Sequence, residues 1–148
     1  MHTTLIDPFG RAIEYVRLSV TDRCDLRCRY CMPKGFRGFE TPEHWLTFEE
    51  IERVIGAFGR LGVTRIRLTG GEPLVRKDLP TLAARLAALP GIDDLSLSTN
   101  ATRLARQAGA LRQAGVSRIN VSLDSLRDQR FADITGGKLH KVLAGLMA

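Results

Sequence analysis

Aliphatic and polar residues alternate one by one in four short runs of the chain. Val16, Leu18 and Val20 interleave with Tyr15, Arg17 and Ser19 in YVRLSV (15–20), and Ile66 and Leu68 with Arg65, Arg67 and Thr69 in RIRLT (65–69). Leu95 and Leu97 alternate with Ser96 and Ser98 in LSLS (95–98), as do Ile119 and Val121 with Asn120 and Ser122 in INVSL (119–123). A period of two is the strand period. The segments between them carry the helical period instead. Thr47-Phe-Glu-Glu50 has the form of a capping box, and Ile51, Val54, Ile55, Phe58 and Leu61 follow at helical spacing. Leu79, Leu82, Leu86 and Leu89 repeat after Asp78 and stop at Pro90-Gly91. Leu104, Ala108 and Leu111 form a third stripe, and a short segment near Phe131 and Ile134 ends at Gly136-Gly137. Leu139, Val142, Leu143 and Leu146 predict a last helix.

Strands alternating with helices argue for a parallel sheet with right-handed crossovers. A parallel strand covered on both faces is apolar throughout, yet each run here keeps one polar face. The aliphatic face is therefore expected under the helices, and the polar face toward a wet hollow. A sheet with one solvent-exposed face is the plainer alternative, but the intervening helices disfavour the hairpins that usually accompany it. Four strand–helix units are too few to close an eight-stranded barrel, which takes ~250 residues. The expected fold class is α/β, an incomplete (β/α) barrel of about four strand–helix units. Residues 1–148 are expected to be the N-terminal part of something longer.

With 44% hydrophobic and 26% charged residues the chain reads as an ordinary globular domain. No apolar run approaches the ~18 residues of a membrane span, and the start lacks a signal-peptide core. The expected compartment is the cytoplasm, with no membrane partner. The net charge of +6 comes mainly from scattered arginines and favours anionic partners, nucleic acid or phosphorylated small molecules, although a solvated arginine-rich surface is the plainer reading.

All three cysteines, Cys24, Cys28 and Cys31, fall in DRCDLRCRYCMP (22–33), directly after the first strand. An odd, clustered count in a reducing compartment is no disulfide framework. Thiolates suit zinc, copper(I) or iron–sulfur clusters. Structural zinc wants four closed ligands, and His2, His44 and His140 are scattered. An iron–sulfur cube held by three thiolates keeps one iron open, which is an asset where a small molecule must bind. Gly70-Gly71-Glu72-Pro73 ends the second strand: the glycines allow close backbone approach, and Glu72 offers a carboxylate to a cationic group. The plainer reading is a tight turn. Thr99, Asn100 and Asp124, beyond the third and fourth strands, are candidates for helix capping or for projection into the hollow. Arg17 and Arg67, on polar strand faces, suit phosphate or carboxylate, or an internal salt bridge.

Cys-x3-Cys-x2-Cys with Tyr30 before the last cysteine resembles the signature of radical S-adenosylmethionine (SAM) enzymes. The resemblance implies an incomplete barrel of the radical SAM type and a [4Fe–4S] cluster ligated by Cys24, Cys28 and Cys31. It further implies that S-adenosyl-L-methionine is chelated at the open iron and cleaved by one electron to a 5′-deoxyadenosyl radical. The Gly70–Glu72 region would hold the methionyl amine. The longer runs LSVTDRC, LTGGEPLVR, STN and INVSLDSL resemble the GTP 3′,8-cyclase family of molybdenum-cofactor biosynthesis, over nearly the whole chain. That family converts GTP to 3′,8-cyclo-7,8-dihydro-GTP. By this resemblance Tyr30, Gly71 and Ser122 contact SAM, and Arg17, Arg67 and Ser98 contact GTP. The family usually has threonine at Ser98 and glycine at Ala101; the first change keeps a hydroxyl, whereas the second bears on the local turn. The family's second cluster, which holds the guanine end, lies in a C-terminal part absent here, so this chain is not expected to cyclise GTP alone. The resemblance also implies a homodimer for the full-length protein and no nucleic-acid partner. The competing readings are another radical SAM enzyme acting on peptide or RNA, and a non-enzymatic zinc or redox module.

Overall fold

The computed structural model describes residues 4–32 and 35–148. His2 and Pro33, named above, lie outside them. Four strands, β1 (Tyr15–Ser19), β2 (Arg65–Thr69), β3 (Asp94–Thr99) and β4 (Arg118–Val121), pair in parallel in the order β1-β2-β3-β4. The expected strands and their parallel pairing are thus present. Helices α1 (Phe48–Arg60), α2 (Leu79–Ala87), α3 (Leu104–Gln113), α4 (Asp128–Thr135) and α5 (Leu139–Leu146) cover one face and the end of the sheet.

The aliphatic face builds the core. Ile66, Leu68, Leu95 and Leu97 pack with Ile51 and Ile55 of α1, Leu79, Leu82 and Leu86 of α2, and Leu104 and Leu111 of α3. The capping box forms as read: Thr47 accepts the Glu50 N–H at 3.2 Å while the Glu50 carboxylate accepts the Thr47 N–H at 2.8 Å. Two stripes differ from expectation. Val54 is 43% exposed, because the pair Ile51 and Ile55, one turn apart, already fills the contact with the sheet. On α5 the buried line runs Leu139, Val142, Gly145, and it leaves Leu143 and Leu146 outside. Gly145 sits in that line because α5 presses on Ala101, where a Cβ would meet the Ala101 carbonyl.

The polar face is less uniform than the alternation implied. Arg17 and Arg67 lie opposite one another in the ladder, and Arg67 opposite Ser96. Arg17 is exposed, not interior, since no further strand pairs with β1 among the described residues. Arg67 is half-buried and donates to the Ser96 hydroxyl at 3.3 Å, with its guanidinium 5.5 Å from the Tyr15 ring centroid. It has no carboxylate partner among the described residues. Ser96 is buried, its hydroxyl donating to the Ile66 carbonyl at 3.3 Å. Ile119, assigned to the covered face, is 37% exposed because β4 is an edge strand.

Candidate metal and cofactor site

All four strands end on the same side, and the loops that leave those ends meet there. The first two run together beyond the strands. Val20 donates to the Thr69 carbonyl at 2.9 Å, Gly71 to Thr21 at 2.8 Å and Glu72 to Arg23 at 2.8 Å. This continued ladder explains the double glycine. Gly70 has φ +142°, and a Cβ on Gly71 would fall on the carbonyl of Arg23. The close approach these glycines permit is therefore to the stretch that delivers Cys24.

The thiol loop is fixed at both ends. Arg76 braces its start, donating to the carbonyls of Val20 at 2.7 Å and Leu46 at 2.6 Å while stacked on Phe48 at 5.0 Å. Further on, Arg27 and Arg29 donate to the Thr135 and Ile134 carbonyls of α4 at 2.8 and 3.0 Å. Cys31 and Met32 both donate to the Cys28 carbonyl at 3.0 Å, making a tight turn around Cys28. Cys24 and Cys28 are half-buried against the core and Cys31 is exposed. Burial pushes the Cys24 thiol up, opposed by the Leu26 N–H and reinforced by Asp25 and Glu72. Burial likewise raises Cys28.

Among the described residues no three Cys, His, Asp or Glu side chains converge on a single-ion position. The ligands of an iron–sulfur cube bind different irons and need not converge on one ion. A donor set of three thiols on one loop, with neighbouring backbone N–H groups, fits such a cluster. His44 is engaged elsewhere, 3.1 Å from the Glu40 carboxylate.

Glu72 is enclosed by the loops around it. It is 1% exposed. Oε1 accepts from the Thr99 hydroxyl at 2.7 Å and the Leu74 N–H at 3.0 Å, and Oε2 accepts from the Asn100 N–H at 2.7 Å. Burial pushes its carboxyl up against the pull of these bonds. No cation lies within ion-pair reach of it among the described residues. Glu72 thus ties the second loop to the third through neutral donors. Thr99 and Asn100 are accordingly no helix caps: α3 begins after Arg103 without a side-chain cap. Asp124 caps nothing either, and instead accepts the Tyr30 hydroxyl.

Two residues of this site escaped the sequence reading. Asp25 accepts from Asn100 Nδ2 at 2.9 Å, the Thr102 hydroxyl at 2.6 Å and Arg103 Nε at 3.2 Å. Arg76 is the other. Their partners lie far along the chain, so no local pattern marks them. Of the expected SAM contacts, Tyr30, Gly70, Gly71 and Ser122 are all exposed at the strand ends. Ser122 donates its N–H to the Thr99 carbonyl at 2.9 Å, carrying the β3–β4 ladder beyond the strand. Ser98, half-buried, lies opposite Asn120.

Residues 18–146 match the model of the radical SAM superfamily. The chain belongs to that superfamily. Its cofactors are accordingly a [4Fe–4S] cluster and SAM. Solved structures share the fold: SuiB of Streptococcus suis, bound to precursor peptide SuiA, superposes at a TM-score of 0.68 with 20% identity, covering 86% of this chain and 28% of SuiB. HydG, a maturase of the [FeFe]-hydrogenase, gives 0.66 with 14% identity over 97% of this chain and 34% of its own. Much nearer in sequence are proteins named GTP 3′,8-cyclase. That of Ectopseudomonas mendocina is 55% identical over 100% of this chain and 45% of its own length. That of Hydrogenovibrio crunogenus is 51% identical over 97% and 44%. This radical SAM chain thus spans less than half the length of those relatives.

Proposed function

We propose that the chain forms the cluster- and SAM-binding part of a GTP 3′,8-cyclase of molybdenum-cofactor biosynthesis, a radical SAM lyase acting in the cytoplasm. The observation that carries this is the 55% identity to a GTP 3′,8-cyclase over a chain whose three cysteines all stand in one anchored loop. Cys24, Cys28 and Cys31 ligate the cluster. Bound together, cluster and SAM supply one-electron cleavage to a 5′-deoxyadenosyl radical. The residues of the chain bind and orient. The backbone at Gly70–Gly71 and the exposed Tyr30 and Ser122 receive SAM at the strand ends, and Glu72 holds that backbone in place from behind. Arg17, Arg67 and Ser98, on the open polar face, take the GTP, two guanidiniums meeting its phosphates. Conversion of GTP to 3′,8-cyclo-7,8-dihydro-GTP belongs to the protein at the relatives' full length, where a homodimer is also proposed. For these 148 residues the proposal covers cluster assembly and SAM binding.

The test is anaerobic reconstitution with iron and sulfide. A brown protein with about four irons per chain, which binds SAM and cleaves it to 5′-deoxyadenosine under reductant, is the expected result. A colourless protein holding one zinc overturns it.

A further inference from the structure

The carboxamide of Asn100 is held on every side. Its Oδ1 accepts the Thr102 N–H at 3.0 Å, while the single proton of the Thr102 hydroxyl goes to Asp25 at 2.6 Å. Its Nδ2 donates to Asp25 Oδ1 at 2.9 Å. A flipped amide would set oxygen against the Asp25 carboxylate and turn Nδ2 toward the Thr102 N–H, so the network itself fixes the assignment. The remaining side-chain N–H points to Cys24 Sγ, 3.8 Å from Nδ2. Sulfur is large and its hydrogen bonds are correspondingly long. The same sulfur receives the Leu26 N–H at 3.5 Å. Cys24 is therefore a half-buried thiol with two N–H donors, one local and one delivered by β3's C-terminal loop.

We infer that Asn100 is a positioning residue whose side-chain N–H, bonded to the Cys24 thiolate, raises the reduction potential of the iron–sulfur cluster. The inference rests on the cluster reading above. Reduction adds negative charge to the irons and their sulfur ligands. A donor N–H at the sulfur stabilises that charge and makes the electron easier to accept. Asp25 and Glu72 act in the opposite sense, as two carboxylates on the same side of the loop. Asn100 engages both, Asp25 through Nδ2 and Glu72 through its backbone N–H at 2.7 Å. One residue thus bonds to both carboxylates while placing a donor on the sulfur.

The measurement is a redox titration of the reconstituted full chain, followed by the electron paramagnetic resonance of the reduced cluster. Asn100→Ser should lower the reduction equilibrium constant about tenfold, which is about 59 mV for one electron. Iron content and far-ultraviolet circular dichroism should stay unchanged. Thr102→Val, which leaves the N–H in place, should shift the constant less than about threefold, which is about 28 mV either side of the parent. A reconstituted Asn100→Ser cluster with the parent's potential overturns the inference. The chain has two asparagines, Asn100 and Asn120. In Asn120→Ser labelled with ¹⁵N-asparagine, a weak coupling between the label and the cluster's electron spin is expected. Its absence overturns the inference without any change at Asn100. Failure to take up iron would instead sink the cluster reading, and this inference with it.

Discussion

Tyr30 donates its hydroxyl to Asp124 at 2.9 Å, a bond between residues 94 apart in sequence. It joins the loop after β1 to the loop after β4, so it spans the sheet from one edge strand to the other. The carboxylate acceptor is the main reason the Tyr30 hydroxyl titrates well above its ordinary value.

Because Tyr30 is 69% exposed, this bond adds little to stability. Tyr30→Phe should cost no more than about 1 kcal/mol in urea unfolding. Its effect should appear in SAM affinity, with a Kd about fivefold weaker by equilibrium dialysis of the reconstituted chain. An unchanged Kd would mean the strap plays no part in binding.

Gly71→Ala should behave in the opposite way. Its Cβ has no room beside the Arg23 carbonyl, so the ladder that delivers Cys24 must part. A loss of about 2 kcal/mol or more is expected, the range for a backbone clash that cannot relax. Iron bound per chain should fall in step. Wild-type stability in this variant would show that the two loops are not bound together as described.

Asp94 sets the register at the other end of β3 and β4. Its carboxylate accepts the Ser117 hydroxyl at 2.6 Å and pairs with Arg118. The Ser117 bond first, and Arg118 with it, hold the carboxyl below its ordinary value. A depressed folded value stabilises the fold above the unfolded value and is lost as pH falls through the folded one. Asp94→Asn should therefore flatten the acid limb of the stability curve below about pH 4. Because Arg118 is exposed, the gap at pH 7 should stay under about 1 kcal/mol.

Ala101 has φ +61° and is fully buried. This chain makes a left-handed turn there with an alanine. Ala101→Gly should be near neutral, since relief of about 1 kcal/mol of strain is set against a lost methyl of about 0.8 kcal/mol. Gly145→Ala should cost about 1–3 kcal/mol, because the added methyl drives α5 off the Ala101 carbonyl. Thermal unfolding of the two variants checks both signs.

The strands were legible because period-two alternation survives burial on one face. Thr47 and Glu50 were legible because a capping box is a local device. Local rules reached less far at the strand ends. Thr99, Asn100 and Asp124 look like helix caps, and tertiary partners claim them instead: Glu72, Asp25 and Tyr30. The three thiols announced a cluster, whereas the brace at Arg76 and the acceptor at Asp25 act across gaps that no window of sequence spans. Arg17 was expected inside because alternation gives a side chain its face. It cannot say whether another strand stands beyond that face.

Glu72, Asn100 and Asp25 stand in unbroken sequence from the second loop through the third to the first. None of the three can swing outward without dragging its neighbours, so the rim of the sheet behaves as one stiff plate. The latch between a phenol and an aspartate, by contrast, is washed by solvent and, among the described residues, joined to that plate by no such chain of bonds.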